Sequence, residues 1–183
     1  MLKSICILYL CWFSVFSAWA DVSSAENGMR VYVKNDVVYC DIQAFQQEAY
    51  ILKVIGSGSP MTVFWQFDVE QVRDYWLNKQ VVSVRLGRQV IPDLVTQRWL
   101  MRDLNVGIVK HTTDAQEAMR FLSEMNQAAV VDVSVLDADT NYLLKTRFFL
   151  YEGEAEDKSW VPLFNSSGVD MGDLPLDLGV VND

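Results

Sequence analysis

Apolar side chains recur at every second position over most of residues 29–150, the period of strands with one buried face. Residues 29–34 and 37–43 flank Asn35-Asp36, a pair that tolerates positive φ, which predicts a hairpin. Residues 45–55 predict a short helix, with Phe45, Ala49 and Leu52 on its apolar stripe and Gly56 as its stop. The stretch 61–69 alternates cleanly and places Val63, Trp65, Phe67 and Val69 on one face. Residues 80–91 and 94–104 read as a strand pair turning at Pro92-Asp93.

A second helix is predicted over 114–126. Thr113 and Gln116 have capping-box spacing, and Ala115, Ala118, Met119, Leu122 and Met125 recur at spacings of three and four. Beyond it, Ala129, Val131, Val133 and Val135 alternate, and Asp137 to Asn141 supply a turn into a strand running through Leu150. Centring that turn near Asp139 sets Val131 opposite Phe148 and Asp132 opposite Arg147. From Ser166 the period lapses into Asp, Gly, Pro and Leu, the composition of a flexible acidic tail over 166–183. The fold expected is mainly β (α+β): an antiparallel, sandwich-like domain over 29–165 with about seven strands and two short helices.

The first twenty residues change the picture of where such a domain works. Lys3 precedes a nearly uncharged apolar run, and Ala18-Trp19-Ala20 gives the small-x-small pattern of a signal peptidase site, which predicts a signal peptide over 1–20 and a linker over 21–28. The rival reading anchors residues 4–20 in the inner membrane, at the short end of the roughly 17–25 residues that a spanning helix needs. The location expected is therefore exported and periplasmic. Removing residues 1–20 also removes Cys6 and Cys11, so Cys40 alone remains. It lies on the Val38 and Ile42 face of its strand, where a free cysteine packs as a small apolar residue; exposed, it would bridge two chains.

Charge limits the partners. The chain carries 15 Lys and Arg against 24 Asp and Glu, a formal net charge of −9, which repels nucleic acid and anionic headgroups. Contact with membrane is expected only through an uncleaved leader. Against this acidic average, Arg85, Arg88, Arg98 and Arg102 gather in the 80–104 strand pair, and a turn near Pro92 sets Arg88 opposite Arg98. Facing like charges call for an anion between them, from neighbouring strands or from an acidic partner segment or envelope protein. Trp65, Phe67, Trp76 and Trp99 supply either core packing or the lining of a ligand groove.

Catalytic and metal signals are thin. Asp137-x-Asp139-x-Asn141 begins like a calcium loop, but Tyr142 stands where that loop needs Gly and Phe148 where its closing Glu belongs. His111 is the only histidine and has no nucleophile elbow to serve. Glu152, Glu154, Glu156 and Asp157 read as a solvated acidic run. No enzyme, cofactor or metal is expected.

The order of these elements resembles a family of short exported bacterial proteins known as a domain of unknown function. The likeness spans 28–160: an early hairpin, a short helix before the aromatic strand Phe64-Trp65-Gln66-Phe67, the Tyr75-Trp76 segment, an Arg-rich strand pair, and Arg102-Asp103-Leu104-Asn105-Val106-Gly107 ahead of the second helix. The resemblance implies an envelope location, no assigned activity, and genes near those of membrane sensor kinases. The expected role is a non-catalytic interaction or binding module, the alternative a periplasmic carrier of a small apolar or anionic ligand.

Overall fold

Asn35 and Asp36 both adopt left-handed backbone, φ 50° and 61°, and fold β2 (Met29–Lys34) onto β3 (Val37–Gln43) with Met29 opposite Ile42. Two consecutive positive φ angles match the right-handed twist of paired strands, so the turn fixes the register that the sequence predicts. The computed structural model describes residues 24–26, 28–154 and 167–178. The leader expected over 1–20 lies outside the described residues.

Two antiparallel sheets form the two layers. The first has the order β1-β2-β3-β8, with β1 Ser24–Glu26 and β8 Glu124–Asp132. The second has the order β10-β9-β4-β5-β6-β7, built from β4 Met61–Gln71, β5 Lys79–Asp93, β6 Arg98–Asp103, β7 Val109–Thr112, β9 Tyr142–Glu152 and β10 Ser167–Leu176. Helices α1 (Glu48–Gly56) and α2 (Ala115–Ser123) pack on each other and on β4, β5 and β6, beside the smaller sheet. The mainly β, sandwich-like class expected from alternation is the one observed, with ten strands among the described residues where about seven were predicted.

The core lies between these layers. Val63, Trp65, Phe67 and Val69 of β4 are all fully buried, and Trp65 packs on Phe148 of β9 with ring centroids 4.2 Å apart. From the helices, Ile51, Ile55 and Leu122 complete it. Cys40 is buried between Val38 and Ile42, as the alternation predicts. On α1 the buried positions are Ile51, Val54 and Ile55, whereas Phe45 is 57% exposed in a 3-10 turn that precedes the helix. The predicted stripe was one step out of phase because the first turn is wound more tightly than an α-helix.

Three further expectations give way to long-range pairing. The helix predicted over 114–126 ends at Ser123, and Met125 and Glu124 instead pair with Ile42 and Gln43 of β3. Its N-cap is Asp114, whose carboxylate accepts from the Gln116 N–H at 2.8 Å, rather than Thr113. The hairpin joining 129–135 to the last strand does not form: β8 belongs to the smaller sheet and β9 to the larger one. Val133–Val135 is a 3-10 turn capped by Asp132, and Phe148 lies opposite Trp65 instead of Val131. The segment expected to be a flexible tail contributes β10, which pairs with β9 along its length and buries Leu174 and Leu176. A bulge at Met171, with Gly172 at φ 106°, absorbs the break in alternation that hid this strand.

Candidate functional site

The register of β5 and β6 decides where the arginines point. Arg88 faces Asp103 and Asp93 faces Arg98, so the expected Arg88–Arg98 apposition does not occur. The turn is centred between Val95 and Thr96 and not at Pro92-Asp93, since Pro92 stays in β5 opposite Trp99 and Asp93 opens the turn opposite Arg98. Its carboxylate accepts from the backbone N–H groups of Val95 and Thr96 at 3.0 and 3.2 Å and from the Thr96 hydroxyl at 2.6 Å. These bonds hold the Asp93 carboxyl below its ordinary value, led by the Thr96 hydroxyl.

Arg88 is set apart from the other three. It points inward, where Nη1 donates to the carbonyls of Phe121 at 3.0 Å and Glu124 at 2.6 Å, at the C-terminal end of α2. Its guanidinium lies 4.8 Å from the centroid of the Phe121 ring, and Nε is 3.7 Å from Asp103 Oδ2. A cation there satisfies orphan carbonyls and opposes the negative end of the helix dipole. A groove of about 220 Å³ opens beside it, lined by Met101, Lys110, Glu117 and Arg120 among others.

Arg85, Arg98 and Arg102 share the opposite, outward face of the larger sheet, because Arg85 is opposite Gln66, Arg102 opposite Gln89 and Arg98 opposite Asp93. All three are exposed. Arg85 Nη2 donates to Gln66 Oε1 at 2.9 Å and sits 5.9 Å from the Phe149 ring centroid. Beside it stands Asp68, only 2% exposed although on the outward face, which accepts from Ser83 Oγ at 2.6 Å, from Gln66 Nε2 at 2.9 Å and from Arg147 Nη2. Burial works to raise the Asp68 carboxyl, but the bonds from Ser83, Arg147 and Gln66 outweigh it and hold the group below the ordinary carboxylate value. Gln66 thus ties the Asp68–Arg147 pair to Arg85, whose guanidinium lies beside Phe149.

Arg147 and Phe149 are the members of this face that sequence reading missed. Arg147 was expected opposite Asp132, but β9 pairs with β4 and sets it opposite Gln66. Nothing local marks that partner; the signal available was the alternation of Arg147 and Phe149 with buried Thr146 and Phe148.

The four aromatics do not converge on one groove. Trp65 and Phe67 are core residues, Trp99 is partly buried against the core from β6, and Trp76 is 80% exposed in the loop after β4. A surface cleft of about 310 Å³ does exist, between the 3-10 turn at Phe45–Gln47 and Val169 to Met171 of β10, and none of the four lines it.

His111 is exposed on the edge strand β7, in a different sheet from Cys40. Burial, with Asp41 nearby, pushes the Cys40 thiol up to about 12. Asp137 is used locally, accepting from the Asp139 N–H at 3.3 Å, and no group of three His, Cys, Asp or Glu suited to a metal occurs among the described residues.

These features define a two-layer antiparallel β domain with two helices on its inner side and an outer sheet face on which four arginines stand among paired or locally bonded carboxylates. Residues 27–155 match the model of a domain of unknown function, DUF4390, and the chain belongs to that family. No curated protein and no solved structure matches the chain. Among the described residues, no helix is long and apolar enough to cross a membrane.

Proposed function

We propose that this protein is an exported, non-catalytic interaction module whose outer sheet face binds an acidic segment of an envelope protein. The observation that carries the reading is the gathering of Arg85, Arg98, Arg102 and Arg147 on one face of a chain whose net charge is −9. Charge complementarity of this kind steers encounter and fixes register. Of the carboxylates on the same face, Asp68 pairs with Arg147, Asp93 is occupied by its own turn, Glu70 and Asp173 flank Lys145, and Asp170, opposite Arg147, accepts from the Gly172 N–H, which leaves Arg85, Arg98 and Arg102 for a partner. Phe149 beside Arg85 adds apolar contact area where a peptide would lie. Export follows from the leader-like residues 1–20, and periplasmic location from the same segment. The carrier alternative needs the Trp65 face to line a cavity, and that face is packed against Phe148.

The test is capture from envelope fractions by the full chain, compared with R85E/R98E/R102E, alongside titration with an oligoglutamate peptide. Loss of the captured partner and of peptide binding in the variant is expected. Retention of both at parental levels would remove the outer face as the docking site. Arg88 is left intact, because its replacement disturbs α2 and would mimic lost binding.

A further inference from the structure

Three large apolar side chains stand in solvent at the tip of the loop between β4 and β5: Tyr75 is 93%, Trp76 80% and Leu77 92% exposed. The loop does not need them to hold its shape. At its base, the Val72 N–H donates to the Asn141 carbonyl at 2.9 Å and Asn78 Nδ2 donates to Glu70 Oε2 at 3.2 Å, while Lys145 Nζ lies 2.9 Å from the same carboxylate oxygen. A contiguous exposed apolar cluster of this sort marks an interaction site.

The shape and chemistry of the tip select the partner. Tyr and Trp have an apolar body and a polar end, the combination that settles at membrane–water interfaces, and Leu adds pure apolar area. Arg73 and Lys79 flank the tip and are exposed, placed to meet headgroup phosphates. The two rings and Leu77 together offer about 600 Å² at most. That is less than the roughly 800 Å² per partner of a stable protein interface. A bilayer needs no matching surface and accepts a protruding tip.

We infer that residues 72–78 form a membrane-contacting loop that inserts Tyr75, Trp76 and Leu77 into the boundary between headgroups and acyl chains. Insertion is driven by apolar area, not by charge. Arg73 and Lys79 are opposed by Asp74 in the loop and by Asp137 and Asp139 on the turn leading to Asn141, and the chain as a whole carries a net charge of −9, so anionic lipid weakens the contact instead of strengthening it. The acidic composition that argues against membrane binding therefore sets only its lipid preference. The residues of this site are distinct from residues 4–20 and from the arginines of the outer sheet face.

The experiment uses the full chain labelled with 5-fluorotryptophan and phosphatidylcholine vesicles carrying a gadolinium chelate on a fraction of their headgroups. The Trp76 fluorine resonance, identified by its loss in Trp76→Phe, is expected to broaden strongly on vesicles while that of buried Trp65 does not. Y75S/L77S should reduce the broadening roughly tenfold, since it removes most of the remaining apolar area. Added phosphatidylglycerol should lower it as well. A sharp, solvent-like Trp76 signal on vesicle-bound chain would overturn the inference, as would absence of vesicle association. So would the same change arising without lipid as protein concentration rises, which would assign the tip to a second copy of the chain. The residue-specific readout separates the tip from residues 4–20, which are identical in every variant.

Discussion

Arg88 on β5 donates to the carbonyl of Phe121 at 3.0 Å and lies against the same residue's ring, so one guanidinium both terminates α2 and holds the helix on the larger sheet. Its second acceptor, the Glu124 carbonyl, is the first residue of β8. The cation therefore sits at the point where the chain leaves one layer and enters the other.

Replacing Arg88 by Met should cost about 2 kcal/mol, the scale of hydrogen bonds to a charged group, because two carbonyls lose their donor and Asp103 its counter-charge. Arg98→Ala should change stability by no more than about 0.5 kcal/mol, since its side chain is exposed. Urea unfolding of both variants checks the contrast, and equal losses would contradict it.

Trp65 and Trp76 should separate in the same way. Trp65→Ala empties the space against Phe148 and should cost roughly 3–5 kcal/mol. Trp76→Ala should fall within about 0.5 kcal/mol of the parent. Thermal denaturation followed by far-ultraviolet dichroism measures both.

Asp68 should make the fold acid-sensitive. Its carboxyl titrates below the ordinary value of 3.8 in the folded chain, so between the two values the unfolded chain binds more protons. Stability contributed by this group is fully present above the unfolded value and is lost as pH falls through the folded one. Asp68→Asn should flatten the stability profile below about pH 4, the ordinary range of an Asp carboxyl. A profile as steep as the parent's would show that other carboxylates carry the effect.

Cys40 should be inert to thiol reagents while the domain is folded. Burial removes it from solvent and holds the thiol up at about 12, so little thiolate exists near neutral pH. Ellman's reagent should label it only after denaturant is added. Rapid labelling of the native thiol would show that β3 opens.

How far the sequence reached can be followed residue by residue. Asn35-Asp36 states its own hairpin because the backbone conformation of that turn is a local property of those two side chains. Val63, Trp65, Phe67 and Val69 announce a buried face because alternation is fixed by the pleat. The Ala118, Met119 and Leu122 stripe likewise marks α2. What alternation does not carry is the identity of the neighbouring strand. Val131 and Phe148 each read as inward-facing and each is buried, yet they belong to different sheets.

The candidate site divides along the same line. Local sequence placed Arg85, Arg88, Arg98 and Arg102 in one strand pair, but a shift in the turn sent Arg88 inward to α2 and left the other three outward, joined by Arg147 from β9. In a strand, adding or removing a single residue reverses which face a side chain occupies. By itself, then, the sequence determined the strand-rich class, the buried faces and the hairpin turn, all set by interactions within a few residues. Only the tertiary structure decided strand partners, the ordering of 167–176 as β10, and which arginines share the outer face, because those depend on contacts between segments far apart along the chain.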